Sequence, residues 1–257
     1  MTIKGVFFDF FGTIVVPKDP NLRWSEWYHS VYPIYKGNGI EIKSDVFTSI
    51  CKTFWNNIYD DQDQDRGTTP FEKRLASQFE FYGMDVSAAK INILASEISE
   101  AWFDQHYLDT ETIETLRYFK KKMKTALITN FDHPPFIWIM LARYKIIDYF
   151  DSVVISGEVG MKKPIPEIFN PALIETELSY EEVVYVGDSI IDFRAALLAG
   201  ILPIIIRREG QHDAAIPGNV EPAYEKTDTL LHKLHLNGQI EIVAKLSEVK
   251  KIVKKHS

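Results

Sequence analysis

The hydrophobic pattern consists of short apolar runs that alternate with amphipathic segments over the second half of the chain. Runs of Val, Ile and Phe that end in glycine or polar residues are typical of buried parallel strands. The runs predict strands at Val6–Phe8, Thr125–Ile128, Ser152–Ile155, Val183–Val186, Pro203–Ile206 and Ile240–Val243. The segments between them predict helices over Glu111–Lys121, Pro135–Tyr144, Pro166–Glu177, Asp192–Ala199 and Leu246–Lys254. Strands that alternate with helices predict an α/β fold with a doubly wound parallel sheet.

A different pattern separates the first predicted strand from the others. Residues 17–115 show helical periodicity and no run that predicts a strand, whereas 207–238 predict mainly irregular structure without candidate chemistry. The helices predicted in the insert are Leu22–Tyr35, Ser44–Tyr59, Pro70–Tyr82 and Ser87–Trp102, with a loop at Asp60–Thr69. We therefore predict an α/β core from 1–16 and 116–257 and an all-helical cap domain at 17–115. The cap would lie over the carboxyl edge of the sheet, where ligands bind.

Aromatic residues are frequent in the predicted cap, and many of them recur at helical spacing. They are Trp24, Trp27, Tyr28, Tyr32, Tyr35, Phe54, Trp55 and Tyr59. The simpler interpretation is a packed helical core, and the alternative is that a few of these rings line a substrate cavity. The pattern alone is compatible with both.

Composition and charge narrow the class of protein. The 257 residues carry a net charge of −7, which argues against nucleic-acid binding, because that function relies on basic patches. No stretch approaches the roughly 20 apolar residues of a membrane helix, and the N-terminus lacks a secretory signal pattern. The one cysteine, Cys51, excludes an internal disulfide framework. We expect a cytoplasmic protein with an anionic small-molecule substrate and no nucleic-acid or membrane partner; the oligomeric state stays open.

Polar residues stand at the ends of three predicted strands. Asp9 follows the first strand, Thr129 and Asn130 follow the second, and Asp188 follows a later strand with Asp192 four residues on. Each of these residues alone has a plain structural explanation, since aspartates are common at turns. Because the carboxyl ends of parallel strands form the ligand-binding edge of such sheets, their combination predicts one shared site.

Charge balance in this site predicts a metal ion and an anionic substrate. Asp9 and Asp188 on adjacent strands would repel each other unless a cation lay between them, and Mg²⁺ is the usual hard cation beside phosphate. Lys163, which alone would be a surface lysine, precedes two prolines that restrict the backbone, and it would offset remaining negative charge. Asp9 could then attack phosphorus as a carboxylate nucleophile.

The same segments resemble the four ordered motifs of the haloacid dehalogenase-like (HAD) hydrolase superfamily. The segments are Asp9–Thr13, Leu127–Asn130, Lys163–Pro164 and Gly187–Asp192. The resemblance covers 1–16, about 107–206 and the closing strand, and the helical insert is similar to the first cap type of the family. It implies that Asp9 is the nucleophile, that Thr129 binds the transferring group, and that Lys163 stabilises charge. The substrate-binding residues would be Thr129, Asn130 and Lys163.

The Mg²⁺ site implied by the resemblance contains one departure from the family pattern. Its ligands would be Asp9, Asp188, the main-chain carbonyl of Phe11, and Asp192 directly or through water. Phosphatases of the family usually carry a second aspartate at the position of Phe11, which protonates the leaving group and later activates water. A phenyl ring cannot transfer a proton, and a positioned acid or base typically contributes about 10²–10⁴-fold to the rate.

Two functions follow most directly from this combination. The first is a Mg²⁺-dependent phosphohydrolase acting on a small phosphorylated metabolite through an aspartyl-phosphate, with a good leaving group, water or a cap residue replacing the missing acid. The paired acids Asp188 and Asp192 favour it. The second is a 2-haloacid dehalogenase, because that branch carries an aromatic residue at the position of Phe11 and uses no Mg²⁺. It holds the substrate carboxylate with a cap arginine, for which the candidates are Arg23, Arg66 and Arg74.

Two further alternatives stay open. A weakly active relative could bind a phosphorylated ligand or a protein partner, although the intact Asp9, Lys163 and Asp188 count against a pure binding role. A phosphonate hydrolase also lacks the second aspartate, but it would need a cap lysine that forms an imine. The candidate lysines are Lys36, Lys43 and Lys52.

Overall fold

The computed structural model of the chain describes residues 2–19, 24–53, 69–208 and 224–256, without the side chains of 24–28, 52–53 and 224–229. Its strands are β1 (Gly5–Phe8), β2 (Val15–Pro17), β3 (His106–Leu108), β4 (Lys124–Thr129), β5 (Ser152–Ile155), β6 (Val183–Gly187), β7 (Leu202–Ile206) and β8 (Glu241–Val243). Six of them form one sheet in the order β5-β4-β1-β6-β7-β8, and every neighbouring pair in it is parallel. The predicted doubly wound α/β sheet is confirmed.

The helices occupy two regions of the described chain. Those of the insert are α1 (Trp24–Gly37), α2 (Ser44–Thr53), α3 (Pro70–Phe81) and α4 (Ala88–Phe103). Those that follow are α5 (Thr112–Lys120), α6 (Pro134–Arg143), α7 (Ser156–Val159), α8 (Asn170–Thr176), α9 (Ile190–Ala199), α10 (Tyr224–Leu236) and α11 (Leu246–His256). None of the described helices is long and apolar enough to cross a membrane.

The central strand β1 is buried on both faces, which explains its continuous apolar run. Val6 and Phe8 face a cluster that includes residues of α5, α6 and α11, whereas Phe7 faces a second cluster that includes residues of α8 and α9. In register, Val6 pairs with Thr125 of β4 and with Val184 of β6. Helices on both faces therefore fix β1 in the middle of the sheet and bring Asp9 to its carboxyl edge.

One predicted helix is divided in the structure. The segment Pro166–Glu177 begins as a 3₁₀ turn at Pro166–Phe169 and continues as α8. Pro171 is at the first turn of α8 and has no amide proton to donate to the preceding turn, so the two pieces do not form one α-helix. The other helices predicted after residue 110 correspond to α5, α6, α9 and α11 within a few residues.

The insert has its own hydrophobic core, formed by side chains of α1 to α4. Tyr35, Phe47, Leu75, Phe79 and Leu94 are all buried in this cluster. Tyr32 packs against the cluster from its edge. Tyr32 and Tyr35 therefore belong to a packed core, whereas Phe81 of α3 is largely exposed. The predicted helix end at 54–59, the loop at 60–68 and the side chains of Trp24, Trp27, Tyr28, Phe54, Trp55 and Tyr59 lie outside the described residues.

The prediction that 17–115 contains no strand is wrong. Strand β3 lies in this range and pairs with β2 in an antiparallel ribbon, in which Val16 faces Tyr107. A three-residue strand gives too short a run for its alternation to be visible in sequence. The ribbon joins the two chain segments that lead into and out of the helical insert.

The division into an α/β core and a helical cap stays a proposal. The contacts of α5 favour a different position for its boundary at 115/116. Helix α5, which the predicted boundary at 115/116 would cut, contacts β4 and α11 of the α/β unit. Placing the boundary before Thr112 would keep α5 whole. The helix α10 contains the amphipathic stretch 228–236 within the region predicted to be mainly irregular.

Candidate active site

The polar residues predicted at the strand ends lie together at one edge of the sheet. Because β4 and β6 are the two neighbours of β1, three adjacent strands bring these residues together: Asp9 follows β1, Thr129 ends β4 and Asp188 follows β6. One carboxylate oxygen each of Asp9, Asp188 and Asp192 lies within 4.8 Å of the others. The structure thus assembles a group of acids where open α/β sheets bind ligands.

The ammonium group of Lys163 lies between two of these acids. Its Nζ donates to Oδ1 of Asp9 at 2.5 Å and to Oδ1 of Asp192 at 2.7 Å, and the Lys163 side chain is 2% exposed. Three carboxylates and one ammonium leave two negative charges when all four groups are ionised. A divalent cation with a preference for oxygen ligands would neutralise them, so this donor set fits Mg²⁺.

Burial and neighbouring charges shift the pKa values of Asp9, Asp192 and Lys163. Burial raises the pKa of Asp9 to about 7, against the attraction of Lys163 and with a further contribution from the charge of Asp192. Burial also opposes ionisation of Asp192, but Lys163 and hydrogen bonds from Ser189 outweigh it and hold the pKa of Asp192 below its usual value. The two carboxylates raise the pKa of Lys163 although its burial acts in the opposite direction. Lys163 and Asp192 are therefore charged at neutral pH, and Asp9 is poised between its two states.

Asp192 also stabilises the start of α9. Its Oδ2 accepts hydrogen bonds from the amide of Ser189 at 3.0 Å and from the Ser189 hydroxyl at 2.5 Å, which forms a capping box. Its Oδ1 is engaged by Lys163. With both oxygens in use, Asp192 fits a metal contact through water better than a direct one.

The loop after β1 passes very close to Asp188. Gly12 has φ of 78°, a conformation that favours glycine. A Cβ atom at this position would lie 2.0 Å from Oδ2 of Asp188, so a side chain cannot be accommodated without moving the carboxylate. Gly12 is therefore required for the turn. It is also required for the close approach of the loops after β1 and β6, which carry Asp9 and Asp188 and are called the acidic loops below.

Asn130, the residue after β4, holds the backbone of Lys163 in place. The Asn130 side chain donates to the Lys163 carbonyl at 3.0 Å and accepts from the Lys163 amide at 2.9 Å. Thr129 is buried at the end of the strand, one residue earlier. The structure thus gives Asn130 a positioning contact, and its predicted contact with substrate stays a prediction.

Phe11 is surrounded by rings rather than by polar groups. Its ring stacks on Phe131 at a centroid distance of 5.5 Å and meets the edges of Phe10 at 4.9 Å and His106 at 5.2 Å. Nδ1 of His106 lies 2.8 Å from the Trp102 carbonyl, and burial lowers the pKa of His106 to about 4. The side chain of Phe11 is thus part of an aromatic cluster where the chain leaves the helical insert, next to the neutral imidazole of His106.

Residues that the sequence pattern did not single out also contact the candidate site. The hydroxyl of Tyr185, in the middle of β6, lies 2.9 Å from both Lys163 Nζ and the Ile128 carbonyl. Its only sequence signal is a phenol in an apolar strand, which needs a partner when buried. Arg207 and Arg208 directly follow β7, and both donate to backbone carbonyls of the acidic loops. The sequence signal for these two residues is a pair of consecutive arginines directly after a predicted strand.

The helical insert contacts the loop that follows Thr129 and Asn130. The amide of Phe71 donates to the Asp132 carbonyl at 3.0 Å, and Arg74 forms an ion pair with Asp132 at 2.9 Å. Oγ1 of Thr69, which caps α3, lies 3.1 Å from Nδ1 of His133. Of the three cap arginines considered for a dehalogenase, Arg74 is thus engaged by the α/β unit, while Arg23 and Arg66 lie outside the described residues.

Curated relatives match parts of the chain. A glyceraldehyde 3-phosphate phosphatase of Methanopyrus kandleri is 42% identical over 83 residues, which are 32% of this chain and 35% of that protein. A phosphoserine phosphatase of Thermus thermophilus is 32% identical over 120 residues, covering 44% of this chain and 47% of the relative. The matches thus span about a third to a half of these relatives' lengths.

Solved structures match the whole fold at low identity. A 2-haloacid dehalogenase from Pseudomonas syringae pv. Tomato superposes with a TM-score of 0.63 at 18% identity and full coverage of both chains. The HAD-hydrolase YfnB from Bacillus subtilis, bound to magnesium, has a TM-score of 0.57 at 16% identity and covers 98% of this chain and 99% of that one. At such identities these similarities establish the fold and leave the substrate open.

The family itself is established by the sequence. The model of the haloacid dehalogenase-like hydrolases matches residues 3–200. This range includes β1 with Asp9, the Lys163 loop and α9 with Asp192, and it extends across the helical insert. The chain therefore belongs to the haloacid dehalogenase-like hydrolases.

Proposed function

We propose that the protein is a Mg²⁺-dependent phosphohydrolase that acts on a small phosphorylated metabolite through an aspartyl-phosphate at Asp9. The observation that carries the proposal is the group of three carboxylates within 4.8 Å, with Asp9 held by Lys163 at 2.5 Å. The relatives named as phosphatases support a phosphate ester as the substrate class.

Each residue of the site has a proposed part in this chemistry. An oxygen of Asp9 attacks phosphorus, and the bond to the leaving group breaks as that group departs with its electron pair. Thr129 and Lys163 bind the oxygens of the transferring group, and Asn130 holds Lys163 in place. Water then attacks phosphorus, which releases phosphate and restores the Asp9 carboxylate.

The metal ligands proposed are Asp9, Asp188 and the Phe11 carbonyl, with Asp192 contacting the ion through water. When bound, Mg²⁺ supplies positive charge that stabilises the transferring phosphoryl group. Lys163 supplies the second positive charge from within the protein. A 2-haloacid dehalogenase stays the second candidate, because position 11 holds an aromatic residue in place of a second aspartate. The Phe11 ring packs in an aromatic cluster.

Phe11→Asp is expected to raise the turnover of phosphate esters with poor leaving groups by about 10²-fold, because it restores a proton donor. Wild type should hydrolyse aryl phosphates much faster than alkyl phosphates, since it cannot protonate the departing oxygen. The measurement is kcat for a series of esters that differ in leaving-group pKa. Phe11→Asn is the matched control, because it loses the same ring packing without gaining an acid. Equal rates for both variants across the series would contradict the proposal.

Mg²⁺ affinity is expected to fall as the pH drops below about 7, because burial raises the pKa of Asp9 to that value and protons then compete with the metal. The dependence approaches about 10-fold per pH unit on the acid side. Calorimetric Mg²⁺ titrations of the metal-free protein at several pH values measure it. Asp188→Asn should weaken binding at every pH. Constant affinity across this range would exclude Asp9 as a ligand that must lose a proton.

A further inference from the structure

Arg208, the second residue after β7, reaches the loop that follows the central strand. Its Nη1 donates to the Gly12 carbonyl at 2.6 Å, and its Nη2 donates to the Thr13 carbonyl at 2.8 Å. In the sheet, β6 lies between β7 and β1. The guanidinium therefore extends across the end of β6 and links two strands that are not neighbours.

The same guanidinium binds the segment by which the chain returns from the helical insert. Nη2 and Nε of Arg208 lie 2.9 and 3.2 Å from Oδ2 of Asp109, the residue after β3. The Asp109 amide donates to the Ile14 carbonyl at 3.0 Å, and its Oδ1 accepts from the Glu111 amide at 2.8 Å. Arg208 thus holds the outgoing and returning segments of the insert against the α/β unit.

This ion pair differs from an ordinary surface pair. The side chains of Arg208 and Asp109 are 18% and 14% exposed, and the guanidinium also has two backbone acceptors. Charge-assisted bonds in such a partly buried fork are stronger than those of exposed pairs. A lysine could not reproduce the arrangement, because its single ammonium lacks the planar fork of donors.

The neighbouring arginine holds the second acidic loop. Nη1 of Arg207 donates to the main-chain carbonyl of Asp188 at 3.1 Å. Two consecutive arginines thus fix the backbone after β1 and after β6, and these loops carry Asp9 and Asp188. Gly12 has its left-handed φ of 78° at the point where the loops nearly touch. The two loops therefore come closest at the Gly12 backbone, whose carbonyl Arg208 binds.

We propose that Arg208 is a positioning residue for the metal site. By binding the Gly12 and Thr13 carbonyls and the Asp109 carboxylate, it fixes the backbone of the loop that carries Phe11, whose main-chain carbonyl would be one of the metal ligands. The inference rests on the proposed function in taking Mg²⁺ as the cofactor. It adds a residue of the chain that binds neither substrate nor metal and yet sets the affinity for the metal.

The test is Mg²⁺ binding to metal-free protein, measured by calorimetry and independent of turnover. Arg208→Gln is expected to weaken Mg²⁺ binding by about 10-fold, the effect of losing a charge-assisted hydrogen bond. Arg208→Lys, which keeps the charge without the fork, should lie between Arg208→Gln and wild type. Arg143→Gln is the matched control, because it removes an arginine that pairs with Glu100 away from the acidic loops, and it should bind Mg²⁺ as wild type does.

The outcomes separate this inference from the proposed function. Mg²⁺ affinity of Arg208→Gln within about twofold of wild type would overturn the positioning role and leave the proposed function intact. A wild-type protein that binds no Mg²⁺ would overturn both. Circular dichroism checks the fold; if Arg208→Gln does not fold, Arg208→Lys decides, with weaker binding supporting the inference and unchanged binding refuting it.

Discussion

Asp9→Asn is expected to abolish phosphate-ester hydrolysis, with a loss of at least about 10⁴-fold in kcat. The substitution replaces the attacking carboxylate with an uncharged amide, whose oxygen is a much weaker nucleophile. It also removes one of the three acids proposed to hold Mg²⁺. The decisive measurement follows labelled phosphate from the substrate onto the protein after a rapid acid quench. Wild type should carry the label and the variant should not.

The same variant should keep its fold, so loss of activity would not reflect unfolding. Asn has nearly the volume of Asp, and burial already raises the pKa of Asp9 to about 7, so an uncharged group suits this position. In metal-free protein the melting temperature should equal or exceed that of wild type at neutral pH. Asp148→Asn, at an exposed aspartate, is the control and should remain fully active. Labelling or substantial turnover in Asp9→Asn would exclude Asp9 as the nucleophile.

Lys163→Met is expected to destabilise the protein by about 3–5 kcal/mol at neutral pH, because it leaves the buried carboxylates Asp9 and Asp192 without their shared partner. Turnover should fall as well, since the variant lacks the charge that stabilises the transferring group. Lys163 holds the pKa of Asp9 down, so its loss raises that pKa further above the unfolded value. The native state then binds the extra proton, and stability lost at neutral pH should return as the pH falls.

Lys162→Met is the matched control for this prediction. Lys162 is the preceding residue and is exposed, whereas Lys163 is buried. Denaturant unfolding of both variants at two pH values measures the difference. Equal stability of the two variants at neutral pH would contradict a buried ion pair between Lys163 and the acids.

The sheet and the acids could be predicted because both follow from local sequence. A strand covered on two faces is mainly apolar, and β1, β6 and the middle of β4 show this directly. Asp9 and Asp188 are close together because they follow neighbouring strands. Asp192 joins them because it lies in the first turn of the helix that follows Asp188. Of the two lysines at 162 and 163, the resemblance to the family selects Lys163, and its burial agrees.

The contacts of Arg208 and Tyr185 could not be predicted in the same way. Arg208 meets Gly12 across 196 positions of sequence, and that contact depends on the order β1-β6-β7 and on the length of the arginine. The hydroxyl of Tyr185 reaches Lys163 only because its strand face is also the face toward the Lys163 loop. Strand β3 was missed for a different reason: its pairing with β2 comes from the two ends of the insert meeting, and three residues carry no periodicity of their own.

The most direct test of the account is to assay one wild-type preparation for phosphate release from a small aryl phosphate and for halide release from a 2-haloacid, each with and without Mg²⁺. The account predicts phosphate release that requires Mg²⁺ and is absent in Asp9→Asn, together with no halide release. Halide release that is independent of Mg²⁺, without hydrolysis of the aryl phosphate, would contradict it and assign the aromatic residue at position 11 to dehalogenation.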